Sequence, residues 1–160
     1  MLELNSPRWR ELDHAFGSAE DIPRLLDALA TIDGDRERAE LWFGVWATLC
    51  PEERVVTASY GAVPHLLAMA ESRGVAEQVT SLHIAATIEM HRHHPGAPRI
   101  PPDLLVSYAE AIESLPRRVA SLTDQPWDAT SAQILAAALL VGKRQPELAR
   151  AMLAIGGDAV

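Results

Sequence analysis

Residues 55–74, VVTASYGAVPHLLAMAESRG, decide how the rest of the chain is read. The stretch divides into a helix end, a break centred on Gly61, and a new helix that opens at Pro64 and continues through Leu66, Leu67 and Ala70. Proline suits a first helical turn, where its missing N–H has no partner to lose and its fixed φ is already helical. The same phrase recurs as PRLLDALA from Pro23, PDLLVSYA from Pro102 and PELARAML from Pro146, so the four prolines stand 41, 38 and 44 residues apart. In each copy the apolar residues fall three and four apart, on one face: Leu66, Leu67 and Ala70, or Leu104, Leu105, Tyr108 and Ala109. A helix of about three turns cannot bury such a face alone. Units repeating every ~40 residues therefore imply neighbours that cover one another.

Composition supports this. Of the 160 residues 48% are apolar but only 5% aromatic, so the core must be Leu, Ala and Val, and no strand-like alternation is sustained. The expected class is all-α. The net charge of −8 argues against a nucleic-acid surface, which needs surplus Lys and Arg. The charge is also uneven: residues 1–53 hold twelve acids against five bases, leaving a balance of only −1 for the remainder. The single cysteine, Cys50, sits between Leu49 and Pro51 and reads as a small buried hydrophobe in a reducing compartment. The N-terminus lacks the basic and apolar regions of a signal peptide, and the longest apolar run, residues 134–141, is far below the ~20 residues of a membrane span. A cytoplasmic protein with no membrane or nucleic-acid partner is expected.

Tyr60-Gly61-Ala62-Val63-Pro64-His65-Leu66-Leu67 resembles the boundary inside an armadillo repeat, where one helix ends in a Gly-Ala-Val-Pro turn and the next opens at the proline. The run from Leu41 to Leu66 is also similar to bacterial HEAT/armadillo-like proteins of unassigned role. The resemblance implies a right-handed α-α superhelix, here of about four irregular helical pairs. It is close over residues 39–74 and looser elsewhere, since the other three copies lack the Gly-Ala-Val lead-in.

Along the chain, a first helix is expected at residues 7–16 with Trp9, Leu12 and Phe16 inward, then one capped by Ser18 with Asp21 completing a capping box and Leu25, Leu26, Leu29 and Ile32 as its stripe. Asp35 opens a third, whose stripe is Leu41, Trp42, Val45, Trp46 and Leu49. A short helix at 55–60 and the Pro64 helix follow, with Gly74 as the residue past its end. Residues 75–94 give a long helix with Val79, Leu82, Ala86 and Met90 inward. Beyond a Pro-rich connector come a helix from Pro102 that Pro116 restarts, one over 127–141, one over 145–155, and a fraying Gly156-Gly157 end. The whole, 1–160, reads as one domain: capping helices at 1–34 and repeat-like units at 35–74, 75–122 and 126–157.

Few residues suggest chemistry. Glu89, His91 and His93 lie within a histidine-rich stretch, and Glu89 and His93, four apart, share a helix face as metal ligands can. Histidines near a helix C-terminus are also favoured by its dipole, and no His-Glu-x-x-His pattern is present. No metal, cofactor or catalytic residue is assigned. Trp42 and Trp46, one turn apart, are read either as core or as a groove for a partner's side chain. Tyr60, His65 and Met69, around the Pro64 junction, are the other candidate groove residues. The function expected is non-catalytic protein binding, in the manner of an antitoxin or immunity partner of a basic protein. The alternatives are a HEAT-like enzyme excising DNA bases, which needs Arg117, Arg118, Lys143, Arg144 and Arg150 to form one basic strip, and a metal-dependent hydrolase using the histidines.

Overall fold

One helix, Val75–His91, has no exposed residue from Glu77 to Met90, as befits a helix that others surround. The computed structural model describes residues 1–155. Among them the chain is all-α apart from one hairpin: α1 (Ile22–Thr31), α2 (Asp35–Leu49), α3 (Thr57–Ala70), α4 (Val75–His91), α5 (Leu105–Glu113), α6 (Leu115–Ala120), α7 (Ala129–Gly142) and α8 (Pro146–Ala154). Against α4 pack α3 on one side and α7 on another; α8 covers α7, α5 leans on α3, and α1 bridges α2 and α3. Leu82, Ile84 and Ile88 of α4 meet a core that includes Leu66 and Leu67 of α3 and Leu135 and Ala138 of α7. Each such Leu or Ile, fully buried, stabilises the fold by roughly 1.5–3 kcal/mol. Ion pairs tie the layers: Arg38 of α2 reaches Glu77 of α4 at 2.9 Å, and Arg8 reaches Asp103 at 2.9 Å.

The α2 stripe forms as its spacing predicts, with Trp42, Val45 and Leu49 buried and Leu41 and Trp46 half-buried. Val79, Leu82, Ala86 and Met90 of α4 are buried too. Pro116 does restart the helix, as the second residue of α6, and Asp128 caps α7 by accepting from the Ser131 N–H at 2.7 Å.

Only two of the four prolines lead a helix. Pro23 and Pro146 sit in the first turns of α1 and α8. Pro102 lies in a turn ahead of α5. Pro64 is inside α3, which runs through the expected break without interruption. The missing Pro64 N–H costs the Tyr60 carbonyl its helical partner, and packing holds the helix together regardless. Gly61 serves an approach and not a turn: a Cβ there would stand 3.0 Å from Cη2 of Trp9 and 3.2 Å from Cζ3. The Trp9 ring lies directly on the helix backbone.

The N-terminal segment also departs from expectation. Residues 7–16 do not form a helix. Pro7–Glu11 is a 3₁₀ turn, followed by a hairpin of β1 (Asp13–His14) and β2 (Gly17–Ser18) with Asp13 opposite Ser18. Trp9 and Leu12 are buried, but Phe16 at the hairpin tip is 76% exposed. Ser18 makes no capping bond; its hydroxyl donates to the Arg10 carbonyl, and α1 starts only at Ile22. Gly74 is the N-cap of α4 with φ −63°, not the left-handed end of α3. Gly156-Gly157 lies outside the described residues.

Candidate functional site

Two depressions border α4, on opposite sides of its last turns. The first is a groove with α4 as its floor, walled in one lobe by α2, α7 and α8 and in the other by the hairpin and the segments 51–56 and 94–97. Its two lobes, about 480 and 560 Å³, meet at His91 and Glu53. Trp46 enters from α2 and packs edge-on against the His83 ring, centroids 5.0 Å apart. Gln133, Ile134, Arg150 and Leu153 come from the far wall. Burial lowers the pKa of His83, and also that of His91, where the nearby Glu53 carboxylate opposes the shift while Arg150 and His94 add to it. Both rings are therefore neutral at pH 7. Burial here outweighs the attraction of a helix C-terminus for a cation. The Thr87 hydroxyl on the same side is buried and finds no protein partner.

At the junction of the lobes the chain turns through Pro51–Glu53, where Glu52 and Glu53 have φ of 49° and 61°. Two successive non-glycine residues in the left-handed region cost of order 1 kcal/mol each. Both side chains are exposed, Glu53 with its carboxylate 3.7 Å from His91 Nε2. His91 stacks on His94, and His94 Nε2 faces Arg150 Nη2 at 3.4 Å.

The second depression is a cleft of about 400 Å³ between α4, α5 and α7. Its floor is a buried polar cluster. Arg92 grips Glu89 with two parallel bonds, Nε to Oε2 at 2.5 Å and Nη2 to Oε1 at 2.8 Å. The Tyr108 hydroxyl donates to Oε2 at 2.9 Å, and His93 Nε2 stands 3.4 Å from Oε1. Arg92 is held as a cation: burial works against its charge, but the Glu89 bond and field more than compensate. Burial raises the Tyr108 hydroxyl well above its ordinary pKa, and the Glu89 charge adds to the effect. The Tyr60 ring packs edge-on against Tyr108 at 5.0 Å. Ile100, Leu105, Ile112 and Val141 make the walls apolar, and Arg144 pairs with Glu113 at the mouth at 3.1 Å.

Comparison with family models, with curated proteins and with solved structures finds no match for this chain.

The residues singled out in the sequence do not meet at one place. Of them, Trp46 and His91 line the groove. Trp42 is buried, with an indole N–H that no described group accepts. Tyr60 is wholly buried, its hydroxyl donating to the Pro98 carbonyl at 2.7 Å, so it offers no surface to a partner. His65 is half-buried, 2.7 Å from the Leu2 carbonyl and packed against Trp9, and Met69 rests on the core. Glu89 and His93 do share a face, but His91 is on the groove side of the helix. Among the described residues no three His, Cys, Asp or Glu side chains could together hold a metal ion. The expected basic strip divides as well: Arg118 pairs with Glu71, Arg144 with Glu113 and Arg150 with Glu147, bordering three separate depressions. No helix of the described residues is long and apolar enough to cross a membrane.

Arg92 and Tyr108 are the cleft residues that sequence reasoning missed, and Arg144, expected in a basic strip, belongs to the cleft. The Glu89–Arg92 spacing of three was a usable signal for a helical ion pair. Nothing local ties Tyr108 to either residue.

Proposed function

We propose that this chain is a non-catalytic protein-binding module, a short right-handed α-α superhelix of armadillo/HEAT type, which takes a segment of a basic partner along the groove across α4. The carrying observation is that groove: it is open, its Trp46 lobe is walled by α2 on one side and α7 and α8 on the other, and the half-buried Trp46 stands there beside His83 and an unpartnered Thr87 hydroxyl. Aromatic residues at the centre of such a recess are where binding energy concentrates. The surplus of acids over residues 1–53, with exposed Glu52 and Glu53 at the groove's elbow, favours a partner of opposite charge and speeds its approach. An antitoxin or immunity role, masking a basic enzyme in a bacterium, fits this balance.

The side chains best placed for catalysis are otherwise engaged. Burial, with help from the Glu53 charge, pushes the Cys50 thiol up to about 12, so it is not a thiolate nucleophile. Both Glu89 oxygens are committed to Arg92 and Tyr108. The test is affinity capture from the native host with wild-type and Trp46→Ala bait of equal melting temperature. One stoichiometric basic protein, retained by the wild type and lost by the variant, supports the reading. Equal capture by both, or none by either, overturns it.

A further inference from the structure

We propose that the cleft between α4, α5 and α7 is a binding site for a small carboxylic acid with a compact apolar body, independent of the groove on the other side of α4. The inference comes from counting spare hydrogen-bonding capacity. Both Glu89 oxygens are occupied, Oε2 by Arg92 Nε and Tyr108 Oη and Oε1 by Arg92 Nη2, so Glu89 has little acceptance left for a ligand. Tyr108 has already placed its one proton.

Arg92 is different. A guanidinium presents two forks, one from Nε and a terminal nitrogen, the other from the two terminal nitrogens. Glu89 fills the first fork. No described protein group accepts from Nη1, so the second is free in a residue that lines the cleft and keeps 30% of its side-chain exposure. A planar carboxylate is the shape that closes a free guanidinium fork with two parallel bonds.

Arg144 supplies the second positive charge. Its φ is 61°, in the left-handed position after α7 where glycine is the ordinary residue. Gly142 lets the end of α7 lie against Pro116, because a Cβ there would stand 2.4 Å from Pro116 Cδ. The helix end is thus fixed and the arginine sits at the mouth. Its bond to Glu113 is solvent-exposed on both sides and weakly held, so it can turn to a ligand at little cost. Deep in the cleft the unsatisfied capacity is the donor fork of Arg92 and the walls around it are apolar, while at the mouth Glu113, exposed to solvent, is the acidic partner that Arg144 would leave. A volume of about 400 Å³ is within the range of small-ligand sites.

The experiment is calorimetric titration of the purified protein with hexanoate, benzoate and, as the neutral isostere, hexanamide. Saturable binding of at least one carboxylate, at least tenfold tighter than hexanamide, is the expected result. Arg92→Lys, which keeps the charge and loses the fork, should weaken it at least tenfold. Arg144→Gly should weaken it several-fold without lowering the melting temperature, since glycine suits that backbone. Ala109→Phe, filling the cleft from α5, should abolish it. If Arg92→Lys fails to fold, the other two variants decide. No saturable binding of either carboxylate, equal affinity for hexanamide, or affinity unchanged in folded Arg144→Gly and Ala109→Phe would overturn the assignment.

Discussion

The two sides of α4 handle their polar groups in opposite ways. On the cleft side a carboxylate is bonded by a guanidinium and a phenol, and α5 supplies the decisive partner in Tyr108. On the groove side two histidines are held neutral, His83 by burial and His91 by burial with the charges of Arg150 and His94 adding to it, and a threonine hydroxyl has no partner. Both sides share one helix and one stretch of sequence. The difference lies in what the neighbours bring: α5 closes over the first side, while α2 and α8 stand apart across the second. Satisfied groups such as Glu89 rigidify their surroundings, whereas groups left without a partner, the Thr87 hydroxyl on one side and the outer fork of Arg92 on the other, leave affinity for something else.

The comparison breaks most visibly at Glu89. Glu89→Ala strips the acceptor from Arg92 and from the buried Tyr108 hydroxyl. It should lower stability by about 2–3 kcal/mol, below the full range for a buried pair because Arg92 is partly exposed. Urea denaturation measures it, and a loss under about 1 kcal/mol would mean the cluster is not settled. Next is Gly142→Ala at the cleft wall. Its Cβ would meet the Pro116 ring at 2.4 Å, and overpacking of this kind costs about 1–3 kcal/mol, read as a lower melting temperature.

Acid should tell on the groove side. His83 and His91 have folded pKa values below the ordinary 6.5, so the unfolded chain binds more protons and stability falls as pH drops below about 6.5. The fall should level off once pH passes the lowered folded values. His83→Gln should flatten part of this slope; an unaltered slope would assign it elsewhere, to His65 first, whose pKa burial also lowers. The smallest effect is Thr87→Val, which removes a buried hydroxyl that bonds to nothing. It should be neutral or stabilising by up to about 1 kcal/mol, the opposite sign to Glu89→Ala one turn-face away.

Much of the helical framework was legible because amphipathic spacing is a local signal. The stripe from Leu41 to Leu49 and the inward set of α4 needed nothing beyond the sequence. The misread prolines show where that ends. Gly61 and Pro64 look like punctuation, yet Trp9, fifty-two residues earlier, requires the first as a flat seat, and burial of α3 tolerates the second. Phe16 looked like core and is exposed, because a hairpin replaced the expected helix. The candidate site was less legible still. The pairing of Glu89 with His93 follows from helical spacing, but its capture by Tyr108 depends on how α5 crosses α4, and the groove depends on a gap between elements distant in sequence.

The seat of Trp9 on Gly61 has a practical consequence. The first twenty-one residues act as a strap, joined to the helices by Trp9, by the Ala15 N–H on the Thr48 carbonyl and by Asp13 on Thr57. A shortened protein beginning at the first α-helix would leave the Gly61 face of α3, now covered by Trp9 and Leu12, open to water. Such a product should come out of cells as inclusion bodies, even though every helix it needs would still be encoded.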